Sequence, residues 1–280
     1  MNAVDPRLSG PVVLQGSAGR ILFAPMACRL VSHVHREHQV IFHCGGAATA
    51  FRVDGVVHLL RPGEMILVNP WQHHEKLASP DGASVLLSVL FDPAETGEDS
   101  PVRTGALSFH RAHGLAPPPL RCALDAAVRA LTPAQMSGAA GPDAALAALV
   151  RAIIGTCLER DAAPEGTALA RPYDFRIQRA FQFILRSGRT DLRVDDLPAL
   201  AGMSRSHFFR QFRRCLGVSP NNVIDYVQIT AAIEKLASCG QPIGAIARDL
   251  GFTTSSHFAR FFANHLGTSP HRYRHSTFAV

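Results

Sequence analysis

From Val12 to Phe91 the chain alternates short apolar runs with Gly, Pro and polar breaks, a pattern of strands rather than helices. The runs predict strands at Val12–Gln15, Arg20–Ala24, Leu30–His33, Gln39–Cys44, Ala48–Val53, Val56–Leu60, Met65–Val68 and Val85–Phe91. Asp54-Gly55 signals a two-residue hairpin, and Arg61-Pro62-Gly63-Glu64 a second turn. Short antiparallel strands at this spacing predict a small barrel or jelly roll, which can hold one small ligand. Residues 92–119 then read as loop, ending in Pro117-Pro118-Pro119. Beyond them the apolar period becomes helical. Leu120, Leu124, Ala127, Val128 and Leu131 predict one helix, stopped by Pro133. Leu146, Leu149, Val150, Ile153, Ile154, Cys157 and Leu158 form a broader stripe behind a cap at Asp143. These helices have apolar faces for the barrel or for a second copy of the chain, and residues 161–172 read as a linker.

The remainder is helical and contains a repeat. Asp174 caps a helix to Ser187, with Ile177, Ala180, Phe181, Ile184 and Leu185 on its apolar face and Gly188 as its stop. Residues 204–220 and 254–270 then agree in register at Ser206/Ser256, His207/His257, Phe208/Phe258, Arg210/Arg260, Phe212/Phe262, Leu216/Leu266, Gly217/Gly267, Ser219/Ser269 and Pro220/Pro270. A short helix and a Gly-containing turn precede each copy: Asp195–Ala201 with Gly202-Met203, and Ile243–Leu250 with Gly251-Phe252-Thr253. Each unit is a helix-turn-helix. A helix from Pro220 to about Ser238 joins them, with Ser219 at its cap and Pro220 in its first position.

Charge separates the two parts. Residues 171–280 hold fifteen Lys and Arg against seven Asp and Glu, whereas residues 1–170 hold thirteen against fifteen. All but one of the fifteen cations are Arg, suited to bidentate contacts with phosphate and guanine. A polyanionic partner for the C-terminal part follows. The six cysteines form no CxxC pair, which predicts reduced thiols, and no apolar run is long enough to span a bilayer. A cytoplasmic protein with no membrane partner is expected.

Gly251-Phe252, Ala259-Arg260-Phe261-Phe262 and Leu266 to Arg274 resemble the signature of the AraC/XylS type of bacterial transcription regulator, and the resemblance covers residues 173–274. It implies double-stranded promoter or operator DNA as partner, together with a homodimer and contact with RNA polymerase. Pro198 departs from that pattern, which has Ala there, as Ala247 is in the second copy; Gln228 and Ala231 stand where Arg is common. The N-terminal part is similar to the cupin pattern in His33-Val34-His35, Pro62-Gly63-Glu64 and Asn69-Pro70-Trp71-Gln72-His73-His74. The cupin resemblance implies a metal set of His33, His35 and either His73 or His74. The Glu it expects falls at Gln39, with Glu37 nearby. The cofactor expectation is none, and His33, His35 and His73 are the candidates should a metal be held. The fold class is α+β multidomain: a cupin-like effector-binding β-barrel (1–95), a helical dimerisation region and linker (96–172), and an all-α domain with two helix-turn-helix motifs (173–280).

Phe208, Phe212, Leu216 and their counterparts Phe258, Phe262 and Leu266 share one helical face and read as core. By the family resemblance, Ser204, Arg205, Ser206, Phe209 and Arg210 read base edges from the first helix, and Thr254, Ser255, Ser256, Ala259 and Arg260 from the second. Arg213, Arg214, Arg272 and Arg274 are expected on phosphates. His33, His35, His38, Trp71, His73 and His74 are the candidates for an effector pocket. The leading reading is a non-enzymatic, DNA-binding regulator controlled by a small-molecule effector. The alternatives are a metal-dependent cupin enzyme fused to a DNA-binding module and a constitutive regulator whose barrel only dimerises.

Overall fold

The computed structural model describes residues 10–95, 107–131, 141–160, 173–187, 193–238 and 240–279. The expected stops at Pro133 and Gly188 and the linker at 161–172 lie outside them. The chain forms two compact units: unit 1 from Met1–Leu30, Arg36–Pro164 and Arg272–Val280, and unit 2 from Val31–His35 and Glu165–His271.

Unit 1 holds the strands β1 (Val12–Gly16), β2 (Gly19–Met26), β3 (His38–Gly46), β4 (Thr49–Val53), β5 (Val56–Leu60), β6 (Glu64–Val68), β7 (His74–Lys76), β8 (Ser84–Phe91), β9 (His113–Leu115) and β10 (Thr277–Ala279). Seven form one sheet in the order β10-β1-β2-β8-β3-β6-β9, and three form a second in the order β5-β4-β7. The expected hairpin at Asp54-Gly55 is present: both residues have positive φ, 46° and 86°, and Val53 pairs with Val56. Leu30–His33 does not form the expected strand. Residues 31–35 pack in unit 2, where the Val31 N–H donates to the Asn264 carbonyl at 2.9 Å instead of entering a sheet.

Strand alternation sends side chains from the large sheet into two separate cores. Val40, Phe42, Leu87, Val89 and Phe91 pack with the helices α1 (Pro118–Ala130) and α2 (Pro142–Arg160), through Leu120, Ala127, Leu146, Leu149, Val150 and Ile153. Met26, Ile41, Ile66, Val68 and Leu86 pack instead against Phe51, Val53 and Leu60 of the small sheet. The cupin-like barrel is therefore two facing sheets, and its larger sheet is also covered by helices on the opposite side. β3 is buried continuously from His38 to His43 because both of its faces are covered. The predicted stripe on α2 belongs to this core. Asp143 lies in the first turn of α2 and accepts from the Ser17 N–H at 3.0 Å and the Ser17 hydroxyl at 3.1 Å, fastening the helix to the β1–β2 turn.

Unit 2 contains α3 (Phe175–Ser187), α4 (Leu197–Leu200), α5 (Arg205–Leu216), α6 (Pro220–Ser238), α7 (Ile243–Asp249) and α8 (Ser255–Leu266), and α9 (Pro270–His275) follows. Gly217 and Gly267 end α5 and α8 with φ of 77° and 71°, and their N–H groups donate to Arg213 and Ala263 carbonyls, both at 2.8 Å. Pro198 falls in the first turn of α4, where no intrahelical N–H is lost. The helix it opens is only four residues long, against seven for its counterpart α7.

Leu149 has no exposed surface. Leu149→Ala is expected to destabilise the chain by about 2–5 kcal/mol, read as a lower urea midpoint. A loss under about 1 kcal/mol would mean that α2 is not seated on the sheet.

Candidate nucleic-acid interface and barrel interior

α5 and α8 are the second helices of the two helix-turn-helix units. Each buries an aromatic face, Phe208 and Phe212 in the first and Phe258 and Phe262 in the second. Ser204, Arg205, Ser206, Arg210, Arg213 and Arg214 are exposed on or beside α5, with Phe209 half-buried. Thr254, Ser255, Ser256 and Arg260 are exposed on or beside α8, with Ala259 half-buried. Each helix thus presents a polar surface opposite its core face, strongly cationic on α5 and carrying the single Arg260 on α8, as a helix laid in a DNA groove requires.

The two helix starts differ. Thr254 caps α8: its hydroxyl accepts from the His257 N–H at 3.1 Å. Ser204 holds the equivalent extended position, with φ −66° and ψ 152°, and makes no side-chain capping bond. Arg205 forms an ion pair with Asp195 and lies over the Phe209 ring, 5.2 Å from its centroid. Its guanidinium is thus engaged within unit 2 by a carboxylate that competes with phosphate or guanine. Arg272 is exposed, but Arg274 is half-buried, with Nε and Nη2 enclosed away from solvent. That enclosure departs from the expected phosphate contact; both arginines pack in unit 1.

The expected effector residues are divided between the two units. His33 and His35 belong to unit 2. His38 faces the helix-side core, stacked 5.7 Å from Phe91 and edge-on 5.4 Å from Phe109, with Nε2 hydrogen-bonded to the Leu107 carbonyl at 3.0 Å. Trp71 lies in the β6–β7 turn with φ 61°. His73 is half-buried, and its backbone N–H donates to Asp54 at 3.3 Å. Only His74 of the six shares the inter-sheet face, directly opposite Val53.

Other polar side chains occupy that face. Gln39 donates to the Ser88 hydroxyl at 2.7 Å. His43 is 2% exposed, and its Nε2 donates to the Ala47 carbonyl at 2.8 Å. Nδ1 is then the lone-pair nitrogen; it is buried and has no hydrogen-bond partner. Burial holds the His43 pKa below 6.5. Lys76, opposite Phe51, is wholly buried and donates to the Cys28 and Leu77 carbonyls and the Ser79 hydroxyl at 3.2, 3.1 and 3.0 Å. Ser79 continues to Thr49 and Ser84 at 2.8 and 3.2 Å. Burial pulls the Lys76 pKa below 10.5. Gln39, Thr49 and His43 stand at alternate inward positions of predicted strands and were readable as candidates; Lys76 was not, because its three-residue strand carries no apolar alternation.

Gln39, at the position where the cupin pattern expects a Glu, donates its amide to the Ser88 hydroxyl.

Two helix-turn-helix units joined by one long helix, carried with a two-sheet jelly roll, define a DNA-binding regulator with an appended small-molecule domain. Residues 197–276 match the helix-turn-helix domain family and residues 29–150 the AraC-like ligand binding domain family. The chain thus combines a helix-turn-helix domain with an AraC-like ligand binding domain. An HTH-type transcriptional regulator of Haemophilus influenzae is 34% identical over 103 residues, covering 37% of this chain and 35% of the relative. The lactose operon transcription activator of Staphylococcus xylosus is 29% identical over 99 residues, 35% of this chain and 36% of its own. The match thus spans about a third of these relatives' length. ToxT of Vibrio cholerae shares the fold over 95% of this chain and 96% of its own, with a TM-score of 0.55 at 12% identity. No helix among the described residues is long and apolar enough to cross a membrane.

Asp195→Ala is expected to release Arg205 and steepen the salt dependence of non-specific DNA binding by up to about one counterion. Both side chains are over half exposed, so stability should change by no more than about 1 kcal/mol. An unchanged salt slope would show that Asp195 does not restrain Arg205. For His43 the sign follows from a folded-state pKa below 6.5. Below that value the unfolded chain binds a proton that the folded chain refuses, so stability falls as pH drops from 6.5 toward the folded value. His43→Gln should reduce the loss of urea midpoint between about pH 7.5 and about pH 5.5; an equal loss in the variant would place the titration elsewhere.

Proposed function

We propose that the chain is a sequence-specific regulator that binds promoter or operator DNA through α5 and α8, with its DNA binding or activation modulated by a small-molecule effector in the barrel. The observation that carries this reading is the paired construction of α5 and α8: the same buried Phe pair, the same αL glycine stop, and an exposed Ser/Arg surface on each. Arg210 and Arg260 occupy matching exposed positions suited to guanine O6 and N7. Arg213 and Arg214 extend the cationic surface of the first helix toward phosphates.

The effector site is proposed between the two sheets, where His43, His74, Gln39 and Lys76 stand among apolar side chains. ToxT structures are described with a bound unsaturated fatty acid and with a methylnaphthalenyl butenoic acid. An acidic effector suits this chain because Lys76 is a buried cation whose three hydrogen bonds all go to neutral oxygens. The effector acts by its different affinity for the two functional states. A homodimer is proposed through the middle helices. The apolar stripe of α2 is occupied within unit 1, so the partner surface is assigned to exposed α1 positions around Arg121, Cys122, Asp125, Ala126 and Arg129. A cytoplasmic location, contact with RNA polymerase and the absence of enzymatic activity complete the reading, and the regulator relatives support it.

The test uses an operator selected from random DNA by the full chain. Arg210→Ala should lose about 1–3 kcal/mol and relax preference at one base pair. Arg213→Ala should weaken binding to all sequences alike and lower the salt slope by about one. Wild-type binding by both variants would remove α5 from the groove.

A further inference from the structure

β10 is the last element in chain order and one edge of the seven-stranded sheet. Unit 2 ends at His271 and Arg272–Val280 belong to unit 1, so the chain passes from one to the other within α9. β10 runs parallel to β1, with Val13 opposite Thr277, Leu14 opposite Phe278 and Gln15 opposite Ala279. Without it β1 would be the edge strand, with open donors and acceptors along one side. The Val13 N–H instead donates to the Ser276 carbonyl at 2.8 Å.

The same docking fixes the turn ahead of β10. The Ser276 N–H and the Thr277 hydroxyl both donate to the Tyr273 carbonyl, at 3.1 and 2.7 Å. Tyr273 is 2% exposed and is hydrogen-bonded by the Arg20 side chain of β2. Arg274 therefore stands, in sequence, between a buried anchor and a docked strand. Its Nε and Nη2 are enclosed and have no hydrogen-bond partner among the described residues. Desolvated guanidinium nitrogens with no acceptor are costly, and a structure that keeps them calls for a second state that relieves them. Arg274 is also one of the four arginines expected on phosphates from the sequence, and here it is withheld. The attachment that withholds it is weak. It is three residues long, parallel ladders are the less stable kind per residue, and terminal segments open at little cost in free energy.

We propose that β10 is an autoinhibitory latch: docked on β1 it keeps Arg274 within unit 1 and off the DNA backbone, and its release gives that guanidinium to a phosphate. Tyr273 stays buried in both states, and only the turn after it and β10 move. The latch rests on the regulator reading for its effect on DNA, whereas the docking of β10 is measured with no DNA present. It adds a second restrained arginine to Arg205, held by enclosure where Arg205 is held by an ion pair.

The test uses the full chain. Phe278→Pro takes an N–H out of the three-residue strand without changing the net charge. Hydrogen exchange read by mass spectrometry should then be faster than wild type in the peptide containing Val12–Gly16. Binding to a duplex of random sequence is measured across a salt series for the wild type, Arg274→Ala, Phe278→Pro and the double variant. Arg274→Ala alone should keep the wild-type salt slope. Phe278→Pro should steepen the slope by about one counterion, and the double variant should return it to the wild-type value. Unchanged exchange in β1 overturns the docking and the latch with it. An unchanged slope in Phe278→Pro, or a slope already lowered by Arg274→Ala alone, overturns the latch and leaves the DNA reader standing. A wild type with no affinity for DNA removes the regulator reading and the latch together. Should Phe278→Pro fail to fold, Thr277→Gly combined with Phe278→Gly decides on the same readouts, because glycine weakens a strand and leaves the charge unchanged.

Discussion

Burial of the seven-stranded sheet on both faces is the constraint on which unit 1 rests. A strand covered on one side alternates apolar and polar residues; β3 is buried at six consecutive positions and cannot be left half solvated. One face needs the helices α1 and α2, and the other needs the small sheet. That requirement removes the apolar stripe of α2 from any partner. It also sorts the histidines of one strand by parity: His38 goes with the helix-side core and His43 with the inter-sheet core, although they lie only five residues apart.

Unit 2 follows a different rule, in which one hydrophobic pattern is used twice. The Phe pairs of α5 and α8 fill equivalent positions, and a glycine in the left-handed region stops each helix one residue past Leu216 or Leu266. What distinguishes the halves is their boundary chemistry. α8 starts on a hydroxyl cap from Thr254, whereas α5 starts beside an arginine held by Asp195 and the Phe209 ring. Pro198 shortens the helix ahead of α5 without breaking it, because the first turn has no intrahelical N–H to lose. The first copy therefore has the richer cationic surface and the more restrained arginine, and the second has the better-capped helix.

Much of this was legible in the chain. Seven of the eight predicted strands appear, and the Asp54-Gly55 hairpin is paired in the expected register. The α5–α6 and α8–α9 boundaries follow from Gly and Ser-Pro at fixed offsets. Three strands were not legible. β7 reads His-Glu-Lys, with no apolar position; β9 is only three residues long; β10 pairs in parallel with β1 from the other end of the chain. Leu30–His33 has strand composition but finds its hydrogen-bond partner on α8.

The sequence by itself determined the class of each part, the repeat and its stops, the cationic reading surface and the apolar faces of α5 and α8. These depend on periodicity and local backbone preference, which act over a few residues. Only the tertiary structure decided which core each face of β3 enters, where Lys76 is buried, which carboxylate holds Arg205, and that residues 31–35 pack beside α8. Those outcomes depend on pairings between segments distant in the chain, where several partners satisfy the same local pattern and close packing selects one.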